Sequence, residues 1–281
     1  MIIYVGYHRK FPLIEGDFIK PLHVGRDCAL MSSKDGKVTQ EDFDWLIKNT
    51  IGDNTGDNIS SMNREFCELT ALYWIWKNAT KEDYVGFMQY RRHFIFNQDY
   101  RYKYRANQSD VIEEKAYGCY HEHINNTYES RIGMTTDCIY DYICGEKIVV
   151  PKIGMLKYAG VTSLWDDYCS KIPGVHLDDL ILLTDYIKLH YYTIYQGVVE
   201  YLNEDKKLMY NMMFVPVRIY DNYCQFLFDI ILNIYNEIDS RFYTNNGKRT
   251  IGYLAEILFG VFFCKIRKYK HIEQRPIAFI D

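Results

Sequence analysis

The sequence lacks the features that mark several broad classes of protein. It has no excess of basic residues, and its formal net charge of −4 argues against a surface built to bind nucleic acid. Its eight cysteines form no C-x-x-C pair, so we expect free thiols in a cytoplasmic protein. No apolar run reaches the length of a membrane-spanning helix, and the nearest candidate, 251–264, contains Glu256.

The short motifs of several enzyme classes are also absent. Because there is no G-x-G-x-x-G and no P-loop, neither a nicotinamide-dependent enzyme nor an ordinary ATPase is indicated. G-x-S-x-G and H-E-x-x-H, which mark hydrolases and zinc proteases, are missing as well. No Asp-x-Asp follows a predicted strand, where nucleotide-sugar enzymes often hold a divalent cation. We therefore assign no metal ligand and no certain cofactor, and leave a divalent cation open.

What is present predicts an α/β domain. The 281 residues are 48% hydrophobic and 25% charged, as in globular proteins, and no linker or repeat divides them. We therefore predict one domain over residues 1–281. Met1–Tyr7 is β-branched and aromatic, which favours a first strand over a signal peptide. Further strands are predicted at 21–25, 84–88, 147–152 and 210–217, and helices at 41–48, 62–78, within 161–190, at 220–234 and at 249–268.

The segment 56–78 combines a polar loop with an amphipathic pattern. Apolar side chains recur at steps of four and three from Met62 to Trp76, which predicts one helix with a buried stripe. Asp57 and Asn58 come just before it. Their side chains could cap the helix, which is the commoner role, or hold a sugar hydroxyl.

Two arginines follow the next predicted strand. The run 84–88 is short, apolar and aromatic, as in a buried strand that delivers polar groups to the edge of a sheet. Arg91 and Arg92 come directly after it. Their guanidinium groups match phosphate oxygens in a bidentate way, and an ion pair with a neighbouring acid is an equal alternative.

Glu256 is the most unusual single residue of the sequence. It lies within the apolar stretch 254–259, where a carboxylate is costly to bury unless it is paired or used. It could act as a general base. It could equally form an ion pair with Arg249, which lies two helical turns earlier on the same face.

A second acidic cluster follows the break at Pro173-Gly174. His176, Asp178 and Asp179 could act as an acid/base pair or hold a metal ion, although this pattern more often starts a helix. We keep Asp179 as the second candidate for a base and His176 as a candidate for sugar binding.

Several segments together resemble a known bacterial family. They are G-D-N-I-S at 56–60, C-E-L-T-A-L-Y-W-I-W-K-N at 67–78 and Y-R-R-H-F at 90–94, and the resemblance continues at 211–214, 223–228 and 249–256. The family was long described as a domain of unknown function. It belongs to capsular and O-antigen polysaccharide gene clusters and is regarded as glycosyltransferases, some of them galactofuranosyltransferases. Two positions depart from its pattern, with Gln89 in place of a His and Phe226 in place of a Trp.

The resemblance implies both a fold and a reaction. The fold would be a single nucleotide-sugar domain of the GT-A type, with a central mixed sheet flanked by helices and a helical C-terminal part. The reaction would move a sugar from a nucleotide-sugar donor, such as a UDP-sugar or UDP-galactofuranose, to a lipid-linked or oligosaccharide acceptor. Its outcome would be inversion.

Roles for individual residues follow from the same resemblance. The base would be Glu256 or Asp179, and the arginines would neutralise the diphosphate in place of a metal ion. The donor would be bound by Tyr7, Asp57, Asn58, Tyr90, Arg91 and Arg92. The acceptor or the sugar would be bound by His176, Asn211, Met212 and Arg249.

Three further expectations complete the sequence analysis. The basic and aromatic segment 264–271 could rest on the anionic inner face of the cell membrane. A glycan-binding or assembly protein without catalysis is an alternative, because the 27 tyrosines suit sugar stacking equally well. A glycoside hydrolase is another, and it would need two carboxylates facing each other across a sugar.

Overall fold

A computed structural model of the chain describes residues 1–14, 16–33, 36–100, 113–114, 117–266 and 271–281. The strands are β1 (Ile2–Tyr7), β2 (Ile19–His23), β3 (Ile51–Gly52), β4 (Tyr84–Gln89), β5 (Arg92–Phe94), β6 (Glu113–Glu114), β7 (Cys119–Glu122), β8 (Ile148–Pro151), β9 (Gly154–Met155), β10 (Lys206–Lys207), β11 (Met213–Pro216), β12 (Ile272–Arg275) and β13 (Ile277–Ile280). The helices are α1 (Gln40–Asn49), α2 (Asn63–Phe66), α3 (Leu69–Asn78), α4 (Tyr128–Ile132), α5 (Thr136–Cys144), α6 (Leu164–Lys171), α7 (Leu177–His190), α8 (Tyr192–Leu202), α9 (Val217–Glu237) and α10 (Thr250–Val261).

A mixed sheet forms the centre of the molecule. Strands β3, β2, β1 and β4 run parallel to one another in that order. β11 then pairs antiparallel to β4 and to β8, and β12 runs parallel to β8. Beyond β4, the sheet continues through β5, β13, β7 and β6. The predicted α/β class with a central mixed sheet flanked by helices is therefore confirmed.

Strand β1 is buried on both faces of this sheet. Its side chains alternate, so that Ile2 and Tyr4 pack with α3, α9 and α10 on one face. Ile3, Val5 and Tyr7 face the other side, where they join the core that includes α4 and α5. Apolar burial on both faces explains why the opening run of the sequence is almost continuously hydrophobic.

The predicted helix over 62–78 is wrong in one respect, because Cys67 breaks it. The backbone of Cys67 takes φ 52° and ψ −132°, which no helix contains, and α2 and α3 lie on either side. Residues 60–62 form a short 3₁₀ turn before α2. The apolar stripe is still buried, since Phe66 and Leu69 are fully enclosed.

The C-terminal part also differs from its prediction. Helix α10 ends at Val261 and one wider turn covers Phe262–Ile266, so the predicted helix over 249–268 is shorter. The sequence analysis did not predict β12 and β13. Residues 267–270 of the basic segment 264–271 lie outside the described residues. Among the described helices, none is both long and apolar enough to cross a bilayer.

Candidate functional site

A cleft of about 690 Å³ opens at the carboxyl ends of β1, β2 and β4. These strands are parallel, so the chain leaves each of them at the same edge of the sheet. β1 leads into His8 and Arg9, β2 into Val24 and Gly25, and β4 into 89–92, all of which line the cleft. The facing side comes from α2 and the turn before α10.

The lining of the cleft is basic, although the chain as a whole is acidic. Its acidic side chains are Asp42, Glu65 and Glu68, and its basic ones are Arg9, Lys37, Arg64, Arg91, Arg92, Lys248 and Arg249. The formal charge of the described lining residues, +4, is thus opposite in sign to the −4 of the whole chain. A concave site lined mainly by one sign of charge concentrates ligands of the other sign, here anions.

Arg91 and Arg92 are held at the cleft by β13 and by the end of β4. Arg91 Nε donates to the carbonyl oxygen of Ile280 at 2.6 Å, and Arg92 donates to Gln89 Oε1 at 2.6 Å. Both guanidinium groups lie 5.1 Å from the ring centre of Phe279, which also lines the cleft. Arg92 Nε is buried and has no hydrogen-bond partner among the described residues.

A strained turn before β11 connects the arginines to two carboxylates. Tyr210 and Asn211 take φ of 78° and 47°, which is unusual for residues other than glycine. Gln89 Nε2 donates to the carbonyl oxygen of Tyr210 at 3.0 Å. Asn211 Nδ2 donates to Glu68 Oε1 at 2.9 Å, and the Tyr210 N–H donates to Glu256 Oε1 at 3.1 Å. Strain of this kind concentrates at functional sites.

Glu68 is the carboxylate of this pair that lines the cleft. Burial raises its pKa, and the charge of Glu256 raises it further, against the opposing effects of Asn211 and Arg249. A carboxylate with a raised pKa inside a cleft is suited to accept a proton. In the sequence, Glu68 was quoted only as part of the family block 67–78. Its one signal there was a carboxylate inside an apolar stretch that was predicted as a continuous helix.

Glu256 lies behind the turn and does not line the cleft. Its second carboxylate oxygen is 3.5 Å from Lys207 Nζ, and the same ammonium group is 3.0 Å from Asp167 Oδ2. Burial lowers the pKa of Lys207, but Glu256 and Asp167 outweigh it and raise that pKa. The predicted Glu256–Arg249 pair is therefore wrong, since Lys207 is the partner of Glu256.

The facing side of the cleft carries three cations, Arg64, Lys248 and Arg249, which we call the helix-side cations. Arg64 donates to the carbonyl oxygens of Cys28 and Met31, and Arg249 Nε lies 3.1 Å from the sulfur of Cys67. The turn that carries Lys248 is closely packed. A Cβ atom at Gly247 would collide with the carbonyl oxygen of Gly174, so only glycine fits there.

Asp53 fixes the backbone at the end of β2. It is fully buried and accepts hydrogen bonds from the Gly25 N–H at 2.6 Å and from the hydroxyls of Ser60 and Thr70. Gly25 takes φ +69°, and a Cβ atom there would collide with Asn63. Asp53 was not predicted as a site residue, because β3, the strand it follows, was not predicted from the sequence.

Three predicted donor residues lie away from the cleft. Asn58 Oδ1 accepts from the Ser60 N–H at 3.1 Å, which is a local turn contact between residues two apart. Asp57 is exposed and accepts from the Tyr73 hydroxyl at 3.1 Å. Tyr7 is fully buried, and its hydroxyl accepts from the Ile14 N–H. The lining includes Tyr90, Arg91 and Arg92 but none of these three.

Of the remaining predicted residues, two are at or next to the cleft and three are not. Arg249 lines the cleft, and Asn211 touches it through Glu68. Met212 is fully buried, and exposed His176 stacks on Tyr243 with ring centres 4.2 Å apart. Asp179 is buried and accepts hydrogen bonds from Tyr243 and Thr250 at 2.7 Å each.

The described side chains do not form a set of ligands for a divalent cation. Among the described residues, no group of three or more His, Cys, Asp or Glu could hold a metal ion. An Asp-x-Asp does occur at Asp42 and Asp44, but it lies within α1, where positions two apart point to different faces. Asp44 also accepts a hydrogen bond from Gln40 at 2.8 Å. We therefore route no chemistry through a metal ion.

Fold and cleft define an α/β protein with a basic cleft at the carboxyl ends of its parallel strands. The chain belongs to the family described as "Domain of unknown function (DUF4422)", which matches residues 2–268 and confirms the resemblance. It is also similar to the apo structure of the WbbM bifunctional glycosyltransferase, with a TM-score of 0.83 and 28% identity. The match covers 100% of this chain and 45% of that one. A search of curated proteins found no match.

Proposed function

We propose that this chain is a glycosyltransferase that moves a sugar from a nucleoside-diphosphate donor to a hydroxyl group of a glycan acceptor. The observation that carries the proposal is the basic cleft at the parallel strand ends with Glu68 inside it. The similarity to a bifunctional glycosyltransferase supports the same reaction class. We further propose that residues 1–281 form one domain of the GT-A type.

The donor diphosphate is assigned to the strand-end arginines, Arg9, Arg91 and Arg92. Guanidinium groups bind phosphate oxygens through short, charge-assisted and often bidentate hydrogen bonds. Phe279 holds Arg91 and Arg92 side by side, so their charge is in place before the ligand arrives. His8 and Tyr90 add aromatic surface at the end of β1, where the nucleoside would lie, and a UDP-sugar is the donor we would test first.

Glu68 is assigned as the general base. It accepts the proton of the acceptor hydroxyl while the hydroxyl oxygen attacks the anomeric carbon of the donor sugar. The bond between that carbon and the diphosphate breaks, and its electron pair leaves with the phosphate oxygen. Arg91 and Arg92 stabilise the negative charge that develops there. A single displacement of this kind inverts the configuration at the anomeric carbon.

This assignment replaces the two bases expected from the sequence. Asp179 accepts two hydrogen bonds away from the cleft, and Glu256 is paired with Lys207 behind the strained turn. The proposal leaves Glu256 a positioning role through the Tyr210 N–H. A hydrolase of neutral glycans would have no use for seven cations in its cleft.

Arg92→Ala tests the donor assignment. We expect a thermal-shift screen of UDP, GDP and dTDP sugars to find at least one that stabilises the wild-type protein. Arg92→Ala should then weaken binding of that nucleotide by about tenfold or more, because a charge-assisted phosphate contact is lost.

Arg218→Ala is the matched control. Arg218 is exposed at the start of α9, and β11 places it near the opposite end of β4 from Arg92. It should leave nucleotide affinity unchanged. If Arg92→Ala binds the nucleotide as tightly as the wild-type protein does, the strand-end arginines do not hold the donor.

A further inference from the structure

The cleft holds more positive charge than a nucleotide-sugar donor needs. The diphosphate of such a donor has two ionised oxygens, and the strand-end arginines supply three guanidinium groups, of which Arg91 also forms an ion pair with Asp281 at 3.9 Å. The helix-side cations, Arg64, Lys248 and Arg249, lie on the other side of the cleft. Placing like charges close together costs free energy unless an opposite charge, such as that of a ligand, offsets the repulsion. The presence of the helix-side cations therefore requires a separate explanation.

Internal ion pairs do not supply that explanation. Within the described parts of the chain, none of the helix-side cations forms an ion pair with a carboxylate, and Lys248 donates no side-chain hydrogen bond. Arg64 and Arg249 are held by carbonyl oxygens and by the sulfur of Cys67, which are uncharged or weakly polar partners. Burial raises the pKa of Glu65 and Glu68 on this side of the cleft, although Lys248 and Arg64 act on Glu65 and Arg249 acts on Glu68 in the opposite direction. Two carboxyls with raised pKa values do not balance three cations.

Glu68 is connected to both groups of cations. Through Asn211 it connects to the turn that also contacts Gln89 and Arg92, and the positive charge of Arg249 acts on it as well. An acceptor hydroxyl that reaches Glu68 from the side opposite the donor must therefore come in past the helix-side cations.

We propose that Arg64, Lys248 and Arg249 form a second anion subsite, which binds a phosphate or diphosphate group carried by the acceptor. This inference rests on the proposed function and deepens it. The acceptor is then recognised by its charge as well as by its sugar. The same chemistry is offered by the diphosphate head of a lipid-linked glycan and by a phosphorylated sugar.

Calorimetric titration with inorganic pyrophosphate tests the subsite. We expect two pyrophosphate sites in the wild-type protein, of which saturating UDP blocks only one. In the UDP-saturated protein, Lys248→Gln should weaken the remaining site by about tenfold while UDP affinity stays the same. Arg241→Gln is the control, because Arg241 is exposed on the preceding segment and pairs with Asp239.

The outcomes separate the two proposals. Pyrophosphate that fails to bind the UDP-saturated protein, or binds Lys248→Gln as well as wild type, overturns the second subsite. If UDP does not bind, the result counts against the donor site instead. The subsite is then tested by comparing the pyrophosphate affinities of Lys248→Gln and wild type without UDP. Once the site is shown, tighter binding of farnesyl diphosphate than of pyrophosphate assigns it to a lipid head, and tighter binding of glucose 1-phosphate assigns it to a phosphorylated sugar.

Discussion

Two glutamates, Glu68 and Glu256, lie on either side of the same strained turn and have opposite surroundings. Glu68 accepts one hydrogen bond from Asn211 and opens to the cleft, and its pKa is raised by burial and by the charge of Glu256. Glu256 is tied to Lys207 and to the Tyr210 N–H. Both are partly buried carboxylates, so burial alone does not distinguish a reactive group from a structural one.

The difference lies in what compensates each charge. Lys207 lies between Glu256 and Asp167, and its ammonium group provides a close positive charge for both carboxylates. Glu68 has no close ion pair among the described residues, and its nearest charged influences are Glu256 and Arg249. A carboxylate whose ionised form is destabilised by its surroundings becomes more stable when it takes up a proton. We therefore assign the proton transfer to Glu68 and the support of the turn to Glu256.

The largest expected effect is that of Glu68→Gln on transfer. The amide oxygen can still accept from Asn211, so the turn is preserved, but it cannot take the proton of the acceptor. We expect kcat to fall by about 10²–10⁴-fold with donor affinity unchanged. Glu65→Gln, three residues earlier on the same lining, is the matched control.

Stability must be followed alongside activity in that comparison. The folded-state pKa of Glu68 is raised, so its ionisation costs stability as pH rises through that pKa. Glu68→Gln removes this cost and should melt no lower than wild type at pH 7. A variant that keeps full activity, or a Glu65→Gln variant that loses it instead, would remove Glu68 from the role of base.

The second effect is on folding and comes from Lys207→Met. Lys207 is 8% exposed, and its loss leaves the partly buried Asp167 and Glu256 without their cation. We expect the free energy of unfolding in denaturant to fall by about 2–3 kcal/mol, below the range for a fully buried pair because both acids keep some solvent contact. Lys206→Met, its exposed neighbour on β10, should change it by less than about 0.5 kcal/mol. Equal effects of the two variants would show that the buried pair is not stabilising.

The sequence predicted the strands that carry this site better than the residues that perform its chemistry. β1 and β4 are apolar runs that are buried on both faces, so both strands, and the arginines that follow β4, could be predicted from the sequence. Glu256 attracted attention because it interrupts an apolar helix, yet its partner is on β10, 49 positions earlier in the chain. Pairing over such a distance depends on tertiary structure, which a local pattern does not contain.

Glu68 was missed for a related reason. Its neighbours fit a helical stripe, and the break at Cys67 depends on a backbone conformation that helical periodicity does not reveal. The helix-side cations come from two segments, α2 and the turn before α10, which the fold alone brings together. The helix-capping alternative for Asp57 and Asn58 is also wrong, because neither side chain caps the 3₁₀ turn at 60–62 or α2. Asn58 instead forms a local turn with the Ser60 N–H.

The smallest expected effect is that of Glu256→Gln on the pH dependence of transfer. Glu68 acts as a base only when ionised, so kcat falls as pH is lowered through its raised pKa. The charge of Glu256 raises that pKa, while Asn211 and Arg249 oppose the rise. Removing the charge should therefore move the acid limb of the pH–rate profile to lower pH, by about one unit or less. The amide oxygen still accepts from the Tyr210 N–H, so the rate at the optimum should change little. An acid limb that stays in place, or moves to higher pH, would mean that Glu256 does not act on the base through its charge.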